Sequence, residues 1–534
     1  MPIRGIKIGA RARAGIGQSW RALFSANVPE RPLIMAVQRR LLRGLTIIAC
    51  LGTLIGTGVQ SPAVARTEPG VAVFTEAPCD VPNVSPRDLP RLRCGTVSVP
   101  RDYSRPGAGQ FALAVVVIRS EQQPALPDPL LYISGGPGDP LTVYAGYQAA
   151  HPYASARDLV LVDQRGMGRS EPRLCPDLRD AMVDAIADAA TGSEAEMRAK
   201  RQSVFSACRT QALAEGINLE DFGTPVTVED FNWVRQALGI GQWNVFGVSY
   251  GSTVAMTLMA RYPDTVRAAV LDSVNPPDPL LPLWSLNVAG AREAFFDACN
   301  RDKACAAAFP DLAGTYRETL ARLRQAPLSM RFPSGMHEPG NDRPLTASLF
   351  ELVVGHLLYQ VSFYPSLPRL IASVHDGETA LFASRLASLT GAARDRNTGL
   401  NVAAYAAVDC RDFPRYHGGI AASADVFERT TLYDICDEWS ELGPPPVVPL
   451  NTNVPTLVLA GQFDPNARPD VSQHVADLIG SHARWVEFPL IGHSVRASSL
   501  CASRIVAEFV DHPTGALDTS CAGHPQPIQY LPEH

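Results

Sequence analysis

The run Trp243-Asn244-Val245-Phe246-Gly247-Val248-Ser249-Tyr250-Gly251-Ser252 constrains this chain more than any other stretch. An apolar strand leads into Gly-x-Ser-x-Gly. Val254, Ala255, Leu258 and Met259 then recur at helical spacing until Tyr262-Pro263 stops the run. Strand, sharp turn and helix in that order make a nucleophile elbow, in which a serine sits strained at the tip and Gly247 and Gly251 leave room for the turn to pack. The alternation of strand-like and helical stretches around it predicts an α/β class with a mostly parallel, doubly wound sheet.

The loops at the other strand ends carry matching chemistry. Leu113–Ile118 is a continuous apolar run, suited to a strand buried on both faces. Leu130–Ile133 delivers Ser134-Gly135-Gly136-Pro137-Gly138-Asp139-Pro140, a loop whose bare glycines let backbone N–H groups approach a ligand as an oxyanion hole requires. Leu159–Val162 ends in Asp163-Gln164-Arg165-Gly166-Met167-Gly168-Arg169-Ser170. A helix is expected to start at Thr227-Val228-Glu229-Asp230, with its acidic residues facing the positive end of the helix dipole, and to run to Gly239. Val266–Leu271 is a strand ending at Asp272, Thr456–Ala460 delivers Asp464, and Arg484–Phe488 precedes Gly492-His493-Ser494. The chain order Ser249, Asp464, His493 is serine, acid, base, with each member beyond a strand's C-terminal end. Asp272 is the main rival for the acid. In the expected chemistry His493 takes the Ser249 proton, Asp464 holds the imidazole, and the N–H groups of Tyr250 and Gly136 (Gly135 second) bind the oxyanion.

Taken together, the Gly-Gly-Pro-Gly loop, the Asp-Gln-Arg-Gly-x-Gly-x-Ser loop and Gly-x-Ser-Tyr-Gly resemble those of the α/β-hydrolases of the proline iminopeptidase and tripeptidyl aminopeptidase family. The resemblance covers roughly residues 75–525. It implies that Asp163 and Arg165 brace the site, that the mainly helical stretch 276–449 is a lid inserted before the strand carrying the acid, and that the Pro444-Pro445-Pro446 run is the lid's far edge. The hydrolase core is then 66–275 together with 450–534. The implied activity is release of residues from peptide N-termini. The alternative is a carboxylesterase acting on small acyl esters with the same triad, and a non-catalytic binding module fits the intact triad poorly. The sequence departs from the iminopeptidases at Ser134, where they have histidine. Ala407–Asp412 is similar to a tripeptidyl aminopeptidase segment. Asp409, Asp412 and Glu438, the last within an acidic group with Asp434, Asp437 and Glu441, are the candidate anchors for a substrate amine. No metal or organic cofactor is implied.

At the N-terminus Arg39, Arg40 and Arg43 precede an apolar run from Leu45 to Val59 and the small-residue site Ala63-Val64-Ala65. Residues 1–65 therefore read as an extension plus an export signal, with translation start at Met35 and lipidation at Cys50 left open. The apolar run falls short of the roughly 20 residues needed to span a bilayer, so no stable membrane insertion is expected after cleavage. A secreted or periplasmic protein follows. Residues 1–65 hold nine of the 47 Lys and Arg and one of the 53 Asp and Glu, so the remainder has a formal charge of −14, which disfavours nucleic acid as a partner. Ten of the 11 cysteines remain beyond Cys50. Short loops favour Cys79 with Cys94, Cys175 with Cys208, Cys299 with Cys305, Cys410 with Cys436, and Cys501 with Cys521, although spacing alone does not fix connectivity. Cys-x-x-Cys spacing and nearby histidine ligands are both absent, so a metal site is not expected.

Overall fold

The computed structural model describes residues 71–105, 107–181, 194–276, 284–331, 342–393, 399–413, 435–439, 450 and 452–531. The basic start, the export signal with Cys50, the triple-proline run, Asp434 and Glu441 lie outside them. Strands β1 (Phe74–Ala77), β2 (Leu92–Pro100) and β3 (Gln110–Ile118) form an antiparallel edge. Next to β3, and antiparallel to it, comes β5 (Leu159–Val162). Then β4 (Leu130–Ile133), β6 (Trp243–Val248), β7 (Val266–Asp272), β10 (Thr456–Gly461) and β11 (Ala483–Phe488) continue the sheet, all parallel. β4, β5 and β10 are buried along their whole length, and their nearly unbroken apolar runs follow from both faces being covered, whereas β11 at the edge carries Arg484 and Glu487 and is half-exposed. On one face Trp243 and Val245 pack with Val254, Leu258 and Met259 of the helix Tyr250–Arg261. On the other, Phe246 and Val248 pack with Ile505, Val506 and Phe509 of the helix Leu500–Asp511.

Between β7 and β10 the chain leaves the sheet for a mainly helical excursion that includes Trp284–Arg301, Leu312–Gln325, Ala347–Leu357, Leu367–His375 and Ala380–Ala393. A short antiparallel pair, β8 (Leu328–Arg331) and β9 (Asp342–Leu345), interrupts the helices and was not expected from the sequence. The excursion has its own apolar cluster around Phe295, Phe350, Tyr364 and Phe382, which also takes in Phe463 from the loop after β10. A later helix, Val402–Asp412, behaves differently: Ala403, Ala404, Ala406, Ala407 and Val408 join the cluster on the sheet. Sulfur–sulfur bonds join Cys79–Cys94, Cys175–Cys208, Cys299–Cys305, Cys410–Cys436 and Cys501–Cys521. Among the described residues no helix is long and apolar enough to cross a membrane.

The helix expected from Thr227 begins at Thr224 and has no acidic residue in its first turn. Its leading N–H, that of Thr224, donates to Asp412 Oδ2 at 2.7 Å, so the cap comes from a residue 188 positions away. The acids read as facing the dipole are used elsewhere. Asp230 pairs with the buried Arg165 at 2.6 and 2.7 Å, and Glu229 accepts from Tyr262.

Candidate active site

Ser249 is 7% exposed and holds φ 55° and ψ −127°, a left-handed conformation that only a tightly packed turn imposes on a residue with a side chain. Its flanking glycines have no room for a methyl group. A Cβ on Gly247 would come 2.8 Å from Ser252 Cα, and one on Gly251 would come 2.7 Å from Ser134 O. The Ser249 N–H donates to Asp272 O at 2.9 Å, and the Tyr250 N–H follows at the helix start, where the macrodipole is positive. The ring of Tyr250 turns into the core, its hydroxyl 2.9 Å from Thr224 Oγ1.

The glycine loop lies directly on this turn. A Cβ on Gly135 would stand 2.8 Å from Ser249 Cβ and 3.3 Å from Ser249 Oγ, so only glycine allows the loop so close. Gly136 follows at φ 101°, and among the described residues its N–H has no acceptor of its own. Asp163 fixes the loop's exit: its carboxylate accepts from Leu141 N, Thr142 N, Thr142 Oγ1 and Arg169 N at 2.6 to 2.9 Å. Arg165, bound to Asp230 and to the carbonyls of Pro100, Arg101 and Asp221, ties the following loop to the sheet's edge.

Asp464 is fully buried, and both of its oxygens meet His493 Nδ1, at 2.9 and 3.0 Å. The N–H groups of Asn466 and Ala467, each 2.8 Å from Oδ1, hold the carboxylate still. This arrangement puts the Nδ1 hydrogen on the acid and leaves Nε2 as the basic nitrogen. Burial works against the imidazolium, but the Asp464 carboxylate outweighs it, with help from Asp272 and Asp139, and the His493 pKa stands above its ordinary 6.5. Ser249 and His493 share no hydrogen bond among the described residues, as is common where no substrate is bound.

Asp272, the rival acid, has a different task. It is fully buried, and its two oxygens accept from Val495 N at 2.9 Å and Arg496 N at 3.0 Å, while Ser273 Oγ accepts from Ser494 N at 2.8 Å. The end of β7 thus holds the elbow serine with its carbonyl and the histidine loop with its carboxylate. The sequence gives no signal for this, because the donors are main-chain groups. Also unforeseen is Tyr359, whose carbonyl accepts from His493 N at 3.1 Å and whose ring packs edge-on against the imidazole at 5.1 Å.

The expected amine anchors sit as follows. Asp409 is buried on the helix Val402–Asp412, near Tyr250 and Asp412 in charge interaction. Asp412 spends Oδ2 on the cap of Thr224, and burial pushes its pKa up to about 6. The Cys410–Cys436 bond brings the helix Cys436–Trp439, which carries Glu438, alongside; the position of the Glu438 side chain is outside the described residues. Among the described residues no group of three or more His, Cys, Asp or Glu could hold a metal ion.

Residues 128–495 match the model of the alpha/beta hydrolase fold family. The tripeptidyl aminopeptidase of Streptomyces coelicolor is 30% identical over 336 residues, which is 61% of this chain and 61% of that protein, so the match leaves more than a third of that relative unspanned. Carboxylesterase B of Mycobacterium tuberculosis H37Rv is 32% identical over 269 residues, 46% of this chain and 50% of that protein. A crystal structure of the proline iminopeptidase of Mycobacterium smegmatis aligns with 78% of this chain and 98% of its own, at 18% identity and a TM-score of 0.38.

Proposed function

This chain belongs to the alpha/beta hydrolase fold family, and from that premise we propose that it is a serine hydrolase that cleaves residues from the free N-termini of peptides. The observation that carries the reading is the pairing of buried Asp464 with partly buried His493 beyond adjacent strands of a sheet whose interior strand β6 ends in the strained Ser249. In the proposed reaction Ser249 Oγ attacks the scissile carbonyl as His493 Nε2 takes its proton. The N–H groups of Tyr250 and Gly136 hold the oxyanion, and His493 returns the proton to the leaving amine. Water then hydrolyses the acyl-enzyme with the same base. Similarity to a tripeptidyl aminopeptidase supports the peptidase, and similarity to a carboxylesterase over a shorter span supports the ester-cleaving alternative. Five disulfides support an oxidising compartment, outside the cytosol.

Two measurements test this. A fluorophosphonate probe should label the wild type at Ser249 and leave Ser249→Ala untouched, and the alanine variant should lose on the order of a million-fold in turnover. Labelling at another residue would overturn the triad. Turnover of a tripeptide anilide with a free amine should exceed that of a simple aryl ester once each is referred to its uncatalysed rate; the reverse order would favour the esterase.

A further inference from the structure

Asp139 ends the glycine loop that covers Ser249, and the mechanism above gives it no work. Its backbone is fixed: its carbonyl accepts from Ser134 Oγ at 3.1 Å, the preceding Gly138 O accepts from Asn401 N at 2.9 Å, and Leu141 N is held by Asp163 at 2.6 Å. Its carboxylate is not. The neighbouring buried carboxylates Asp163, Asp272 and Asp464 each accept at least two hydrogen bonds, whereas among the described residues the carboxylate of Asp139 accepts none and forms no ion pair. It is only partly exposed, and burial raises its pKa while His493 and Arg179 act on it from a distance as positive charges. A carboxylate that keeps only part of its water and has no hydrogen-bond partner gains more from an arriving cation than one already paired or fully solvated.

We propose that Asp139 is the anchor for the protonated amine of the substrate, a role the sequence had suggested for carboxylates of the helical excursion. The inference rests on the serine-hydrolase reading. Asp139 stands four positions beyond the glycine that touches Ser249, its backbone N lies beside Gly136, and its carboxylate is close enough to His493 for the two charges to act on each other, so a cation bound there would sit next to the reacting groups. Asp412, by contrast, already caps the helix at Thr224. An ammonium gains a charge-assisted hydrogen bond in a water-poor pocket, and an N-acetylated substrate, neutral at that end, gains nothing and leaves the carboxylate unpaired.

The test compares a tripeptide anilide with its N-acetyl twin on the wild type, Asp139→Asn and Asp139→Glu. The wild type should prefer the free amine. In Asp139→Asn the ratio of the two kcat/KM values should fall roughly tenfold to a hundredfold, mostly through KM, and Asp139→Glu should recover part of it. A purely structural role lowers both substrates alike, so an unchanged ratio in Asp139→Asn overturns the proposal. If that variant does not fold, Asp139→Ser serves with the same criterion. Failure of the underlying reading is seen separately, as absence of fluorophosphonate labelling at Ser249 in the wild type.

Discussion

Ser249, Ser273 and Ser494 hold φ values of 55°, 55° and 62°, and none of them is glycine. Such conformations cost of order 1–3 kcal/mol each and persist only where the surroundings over-determine them. Here the three are lashed together through the ends of β6 and β7 and the histidine loop, by Ser249 N to Asp272 O and Ser494 N to Ser273 Oγ. Because Asp464, Asp272 and Asp139 raise the His493 pKa against burial, the acidic limb of kcat/KM should have its midpoint above pH 6.5, the histidine being inactive as a base while protonated. Neutralising Asp464 removes the partner of the imidazolium, so Asp464→Asn should move the limb to lower pH and cut kcat by roughly ten-thousandfold. A pH–rate profile of the two proteins checks both, and a limb that moved upward would contradict the assignment of the acid. Asp272→Asn faces an amide N–H toward a main-chain donor. It should lower kcat by about tenfold to a hundredfold through a displaced His493 while leaving fluorophosphonate labelling detectable. Of two strand-end aspartates, the sequence pointed to the one that meets the imidazole, through its place in the order serine, acid, base. It could not say what the other does, because Asp272 acts on backbone groups that every residue type possesses.

At the scale of elements, the strands that end in the site were legible from their apolar content, least cleanly in β11 with its Arg484 and Glu487, and the elbow helix from its helical spacing. The edge strands β1 and β2 were not, since β1 is mostly exposed and has little apolar periodicity to read. The start of the helix Thr224–Ala237 is not legible in the sequence because its cap is tertiary: Asp412 reaches it from the excursion. Asp412→Ala should therefore cost about 1 kcal/mol and speed amide exchange across residues 224–228, without altering the helix beyond its first turn. Exchange that stayed unchanged there would show the cap to be idle. The histidine loop has a comparable tie. A Cβ on Gly492 would overlap Tyr364 Oη and the carbonyl of Leu358, so Gly492→Ala should destabilise the fold by roughly 1–3 kcal/mol and depress kcat more than KM. Thermal melting and steady-state kinetics on one preparation measure the two effects.

For the molecule as a whole, every disulfide closes a local loop, the partners lying 15, 33, 6, 26 and 20 positions apart, and none bridges the sheet to the excursion. Titration of the denatured, unreduced protein should find no thiol beyond Cys50; two or more would overturn the framework. The excursion is instead bound by contacts, and those contacts fall on the reaction's own loops. Leu400 and Asn401 rest on Gly136 and Gly138, Tyr359 on His493, and Phe463, next to Asp464, is buried among Phe295 and Tyr364. In the proposed mechanism, a substrate that presses on these residues presses at once on the oxyanion loop, the base and the acid. Selectivity and turnover in this hydrolase therefore share one set of springs: a substitution that reshapes the excursion to admit a new substrate should retune the chemistry as well, and libraries aimed at specificity should be screened on kcat from the first round.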